Sequence, residues 1–87
     1  MKAQALVARN IRRLRVGRWL SQEVLAVDAS IDRTYVSRLE RGLENPTVAI
    51  LEKLAIALDA DISEFFKVPL RGEAAPRPLK AGRRPGK

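Results

Sequence analysis

Four side chains near the middle of the chain, Arg33, Thr34, Ser37 and Arg38, have types and spacing suited to reading a hydrogen-bonding surface. On a helix these positions share one broad face. An arginine presents a rigid fork of donors that matches guanine O6 and N7 in a DNA major groove. Such a bidentate pair is worth about 1–3 kcal/mol of discrimination between bases. Thr34 offers its methyl to thymine or its hydroxyl to either base type. This is the chemistry of recognition, not of bond breaking. The same face on an arbitrary helix is simply solvated, so its meaning rests on the elements that carry it.

Composition removes the competing chemistries. The chain has 87 residues with no Cys and no His. Disulfides and thiolate metal sites are thereby excluded, and the commonest general base and metal ligand is missing. Asp28 and Asp32 are close in sequence but read as helix-end and capping residues. No catalytic site, metal or cofactor is expected, and an enzyme is the least expected class. No apolar run approaches the roughly 18 residues a membrane span needs. The start, MKAQALVARNIRR, lacks the apolar core of a signal peptide. The expectation is a soluble, cytoplasmic protein.

The elements follow from hydrophobic period and end signals. A first helix is expected from about residue 3 to 16, with Leu6, Val7, Ile11 and Leu14 inward and Arg9, Arg12, Arg13 and Arg15, followed by Arg18, on much of the rest. Ser21 is an N-cap for a second helix, with Gln22 and Glu23 in its first turn and Val24, Leu25 and Ala26 inward. The break falls at Ala29–Ser30. Ile31 turns inward and Asp32 caps a third helix through Glu40, with Val36 and Leu39 buried and Gly42 ending it. Pro46 disfavours helix at Asn45. Thr47 caps a fourth helix to about Leu58, with Ile50, Leu51, Leu54, Ala55 and Leu58 at helical spacing. Asp61 and Glu64 resemble a capping box for a last short helix containing Ile62, Phe65 and Phe66. No strand pattern and no internal repeat are present. The expectation is an all-α domain over residues 1–68, and a basic, Pro/Gly-rich, disordered tail over 69–87.

Charge sharpens that division. The net charge is +7, but residues 1–68 carry only +2 and residues 69–87 carry +5. The basic excess belongs to the tail, so the position of charge, not its total, must support a nucleic-acid reading.

LSQEVLA, then YVSRLERG, then NPTVAILEKLAIAL and DISEFF, resemble in order and spacing the Cro/CI-type, or Xre, helix-turn-helix family. The likeness covers about residues 6–66, and DRTYVS is also similar to the controller proteins of restriction–modification systems. The resemblance implies a compact, five-helix, lambda-repressor-like fold and sequence-specific binding of double-stranded DNA as a homodimer on an inverted repeat. It matches Arg33, Thr34 and Arg38 to the family's base-reading positions, and Gln22 to a phosphate-contacting glutamine. A positive helix start supports that last role independently. Arg41 and Asn45 correspond to a loop that clamps the opposite phosphate strand, though Arg41 equally suits a helix C-terminus. Tyr35 has two readings, a phosphate contact or packing against the second helix. Arg15 and Glu40 match a structural ion pair.

Leu58, Ile62, Phe65 and Phe66, together with Val68, form the candidate dimer patch, with at least one phenylalanine in the core. Two departures from the family pattern stand out. Ser30 occupies the turn where Gly is usual, which implies strain or another geometry. Trp19 stands where small residues are common, and core packing is its expected fate. The alternative function is an antitoxin or bridging factor that uses the same fold to hold a protein partner.

Overall fold

The computed structural model describes residues 2–70. Its elements are α1 (Ala3–Gly17), α2 (Gln22–Ala29), α3 (Arg33–Glu40), α4 (Val48–Ala57) and a 3₁₀ segment (Ile62–Phe66). The expected fifth helix is thus one short 3₁₀ stretch, and the fold has four α-helices among the described residues. The expected tail lies outside the described residues from 71 onward.

The N-caps form where their residue types demand. Ser21 Oγ accepts from Val24 N, Asp32 Oδ2 from Thr34 N and Tyr35 N, and Thr47 Oγ1 from Ile50 N. Each satisfies amides that the helix leaves without a partner. Asp61 is the exception. Its side chain caps nothing, and the Glu64 side chain is drawn to Arg13 of α1 at 3.0 Å. The expected capping box is therefore absent.

All four α-helices end in the same way. A residue turns left-handed just past the helix, and two backbone bonds close back on the last turn. Those residues are Trp19 (φ 58°), Ser30 (φ 56°), Gly42 (φ 75°) and Asp59 (φ 50°). After α2, Ser30 N donates to Val27 O and Ile31 N to Ala26 O; after α3, Gly42 N donates to Leu39 O and Leu43 N to Arg38 O. The α2–α3 turn thus keeps the geometry that glycine would take, with serine bearing the steric cost. Trp19 bears the same cost, and its ring is left exposed rather than in the core as expected.

α1 packs on α3 and on the 3₁₀ segment, and α2 packs on α3 and α4. Val7, Ile11, Leu14, Leu25, Ala26, Ala29, Val36, Leu39, Leu51, Leu54, Ala55, Leu58 and Phe65 form the shared core. Val24 is exposed, contrary to the pattern; Ala29 takes the inward position on α2 instead. Leu58 and Phe65 are wholly inaccessible, which corrects their assignment to a dimer surface: both belong to the shared core. Buried Asn10 fastens that segment, its Nδ2 donating to the carbonyls of Phe65 and Lys67 at 2.9 Å each.

Candidate nucleic-acid interface

Asp32 starts α3, and the eight residues that follow divide cleanly by side. Val36 and Leu39 point into the core, and Glu40 is buried with them. Arg33, Thr34 and Arg38 are exposed, and Ser37 and Tyr35 are half-buried. The helix brings Arg33, Thr34, Ser37 and Arg38 to its outer side, as their spacing implies. Among the described residues Arg33 has no hydrogen-bonding or ionic partner, so its donors are free for a ligand.

Arg38 is differently placed. Its Nε donates to Glu44 at 2.7 Å, and its Nη2 reaches the Leu43 carbonyl at 3.4 Å. The sequence reading missed Glu44, and the signal that reveals it is a carboxylate six residues on, across the glycine turn. Tyr35 lies in the same neighbourhood. Its hydroxyl is pushed above the usual phenol range by burial, and secondarily by the negative charge of Glu44. At neutral pH it therefore remains a protonated hydrogen-bond donor.

The other end of α3 is bolted down. Arg15 grips Glu40 with two parallel bonds, Nε to Oε2 at 2.7 Å and Nη2 to Oε1 at 2.9 Å. Both side chains are almost wholly buried, at 5% and 1% exposure. The remaining guanidinium nitrogen of Arg15 donates to the Leu20 carbonyl at 2.8 Å. The pair is thus the one that the family resemblance implies, and its bonds satisfy what burial would otherwise leave unpaired.

Gln22, at the start of α2, donates its Nε2 to the same Glu40 at 3.0 Å. Its amide nitrogen has a second hydrogen, which this bond leaves available. Arg12 Nε stands 3.9 Å from Glu40 Oε1. Glu40 thus ties the starts and ends of three helices together: α1 through Arg15 and Arg12, α2 through Gln22, and α3 through its own backbone. Arg41 and Asn45 are exposed on the loop after α3. That loop is held from behind by Gln4 of α1, whose Nε2 donates to the Gly42 carbonyl at 2.7 Å.

The arrangement can present a cationic, hydroxyl-bearing helix face to a grooved ligand. Among the described residues no group of His, Cys, Asp or Glu is placed to hold a metal ion. Nor is any described helix long and apolar enough to cross a membrane. Ile62 and Phe66 of the expected dimer patch are exposed, as are Ile56 and Val68.

The helix-turn-helix family profile matches residues 11–65. A "Neisseria hypothetical transcription factor" from Neisseria meningitidis is 46% identical over 66 residues, covering 76% of this chain and 62% of the relative. The chain therefore spans less than two thirds of that relative's length. The crystal structure of the restriction–modification controller protein C.AhdI from Aeromonas hydrophila superposes with a TM-score of 0.71 at 40% identity, covering 72% of this chain and 96% of that one. The controller protein C.Esp1396I, seen as a tetramer in complex with its natural 35 base-pair operator, superposes at 0.70 with 32% identity, covering 76% and 87%.

Proposed function

The chain belongs to the Xre-type helix-turn-helix family, whose members here are transcriptional regulators and restriction–modification controllers, and from that premise we propose that it reads a short operator as a homodimer. α3 enters the major groove of each half-site. Arg33, Thr34 and Arg38 meet base edges, with Ser37 beside them. Gln22 and Tyr35 meet phosphate on one side of the groove, and Arg41 and Asn45 on the other. The observation that carries this reading is the contrast within one helix. Arg33 keeps a guanidinium exposed and without a partner among the described residues, while Glu40 on the same helix is neutralised inside the fold.

A single copy covers only one half-site, and a dimer places two recognition helices about 34 Å apart, one turn of DNA. The dimer surface is the exposed apolar set on α4 and the segment after it: Ile56, Ile62, Phe66 and Val68. The operator is an inverted repeat, as the two-fold axis of such a dimer requires. C.Esp1396I binding its operator as a tetramer supports DNA recognition by this fold.

Selection of bound duplexes from a random pool, with light scattering on the free protein, tests the proposal. The expected result is a palindromic motif and a dimeric mass. No enrichment would reject operator reading and favour the alternative, an antitoxin or bridging factor that holds a protein partner. A monomer at high concentration would reject the dimer.

A further inference from the structure

We propose that Glu44 is a positioning residue for recognition, one that holds Arg38 so that only its outer edge is free to meet a base; the inference rests on α3 being the base-reading helix. The guanidinium has five N–H donors on two useful edges. Its side edge, formed by Nε and Nη2, is occupied by Glu44 Oε2 at 2.7 Å and the Leu43 carbonyl at 3.4 Å. Its end edge, formed by Nη1 and Nη2, has no other partner among the described residues, and this edge is itself a bidentate fork for guanine O6 and N7.

Glu44 can act as a fixed post because its loop is fixed. Leu43 N donates to the carbonyl of Arg38 itself, so the loop is anchored to the residue that it orients. Gly42 takes the left-handed turn that brings the chain back, and Gln4 holds the Gly42 carbonyl from α1. Pro46 then limits the backbone at Asn45.

Two physical consequences favour discrimination. First, a long side chain held in one orientation loses less freedom when it meets a base. Second, Glu44 offsets the charge of Arg38, so Arg38 adds little to the attraction of phosphates for any sequence. Arg33, with no such partner among the described residues, contributes to both kinds of binding. The Arg38 and Glu44 side chains are 45% and 27% exposed, and pairs this open add little to folding stability. Glu44 is therefore a specificity residue and not a staple of the fold.

The test measures affinity of the full chain for a selected operator duplex and for a scrambled duplex at one salt concentration. The variants are Glu44→Ala, Glu44→Gln, Arg38→Ala and the Arg38→Ala/Glu44→Ala double. Glu44→Ala is expected to lower the operator-to-scrambled ratio about tenfold, the low end of what one bidentate base contact supplies, with thermal stability unmoved. Glu44→Gln keeps an oxygen for Nε and recovers much of the ratio. In the Arg38→Ala background, Glu44→Ala has no further effect. An unchanged or higher ratio for Glu44→Ala would overturn the proposal, as would a full loss persisting without Arg38. If the wild-type chain itself prefers no duplex, the operator reading fails as well, and that outcome is visible before any variant is measured.

Discussion

Arg33 and Glu40 stand at opposite ends of one eight-residue helix and in opposite environments. Glu40 is buried, gripped twice by Arg15 and once by Gln22. Arg33 is exposed and without a partner among the described residues. The contrast shows how a small domain holds an exposed helix. One end is locked into the scaffold by a satisfied ionic network. The other end is left with its charge uncommitted, available to a ligand that brings the opposite charge. Arg38 stands between these extremes, exposed but steered by Glu44.

The largest test of the contrast is at the locked end. Glu40→Ala leaves Arg15 buried without its counter-ion and should cost about 3–5 kcal/mol of stability. Replacing both by apolar residues, Arg15→Met with Glu40→Leu, should cost much less, since no buried charge is then stranded. Urea unfolding of the wild type, Glu40→Ala, the single variants Arg15→Met and Glu40→Leu and the double variant checks this; a double-variant loss equal to the sum of the Arg15→Met and Glu40→Leu losses would show that the pair is not coupled.

The turn leading into the free end gives a smaller effect of opposite sign. Ser30 holds φ 56°, a conformation that costs a non-glycine residue about 1 kcal/mol. Ser30→Gly should therefore raise stability by roughly 0.5–1 kcal/mol, less the greater freedom that glycine has when unfolded. A lower thermal midpoint would mean that the serine side chain makes a contribution of its own. Smallest in energy is Arg41→Ala, which should weaken binding to all sequences alike and reduce the salt slope by about one. A change in base preference would move Arg41 from the phosphate contacts to the reading face.

Much of this was legible in the residues. Ser21, Asp32 and Thr47 are N-caps on sight, because few other side chains satisfy free amides so well. Val36 and Leu39 reveal the inner side of α3 by their spacing, and hence its outer side. What was not legible depends on packing at a distance. Leu58 and Phe65 look like surface candidates at the end of the chain's ordered pattern, yet both are buried in the shared core. Asp61 and Glu64 have capping-box spacing, but Arg13, far away in sequence, takes the glutamate. The left-handed Trp19 breaks a local rule, and only the closing bonds of α1 onto Leu20 make it intelligible. Glu44 was hidden for the same reason: its partner lies across a glycine turn, off any helical spacing.

Under the proposed function, the uncommitted end of α3 reads bases. Parallel selections from a random duplex pool, with the wild-type chain and with Arg33→Ala, put this to the test. Wild type is expected to enrich a two-half-site motif. The variant, folded and equally stable, should enrich the same motif with the preference at one position of each half-site erased. An Arg33→Ala protein that recovers the wild-type motif unchanged at every position would contradict it.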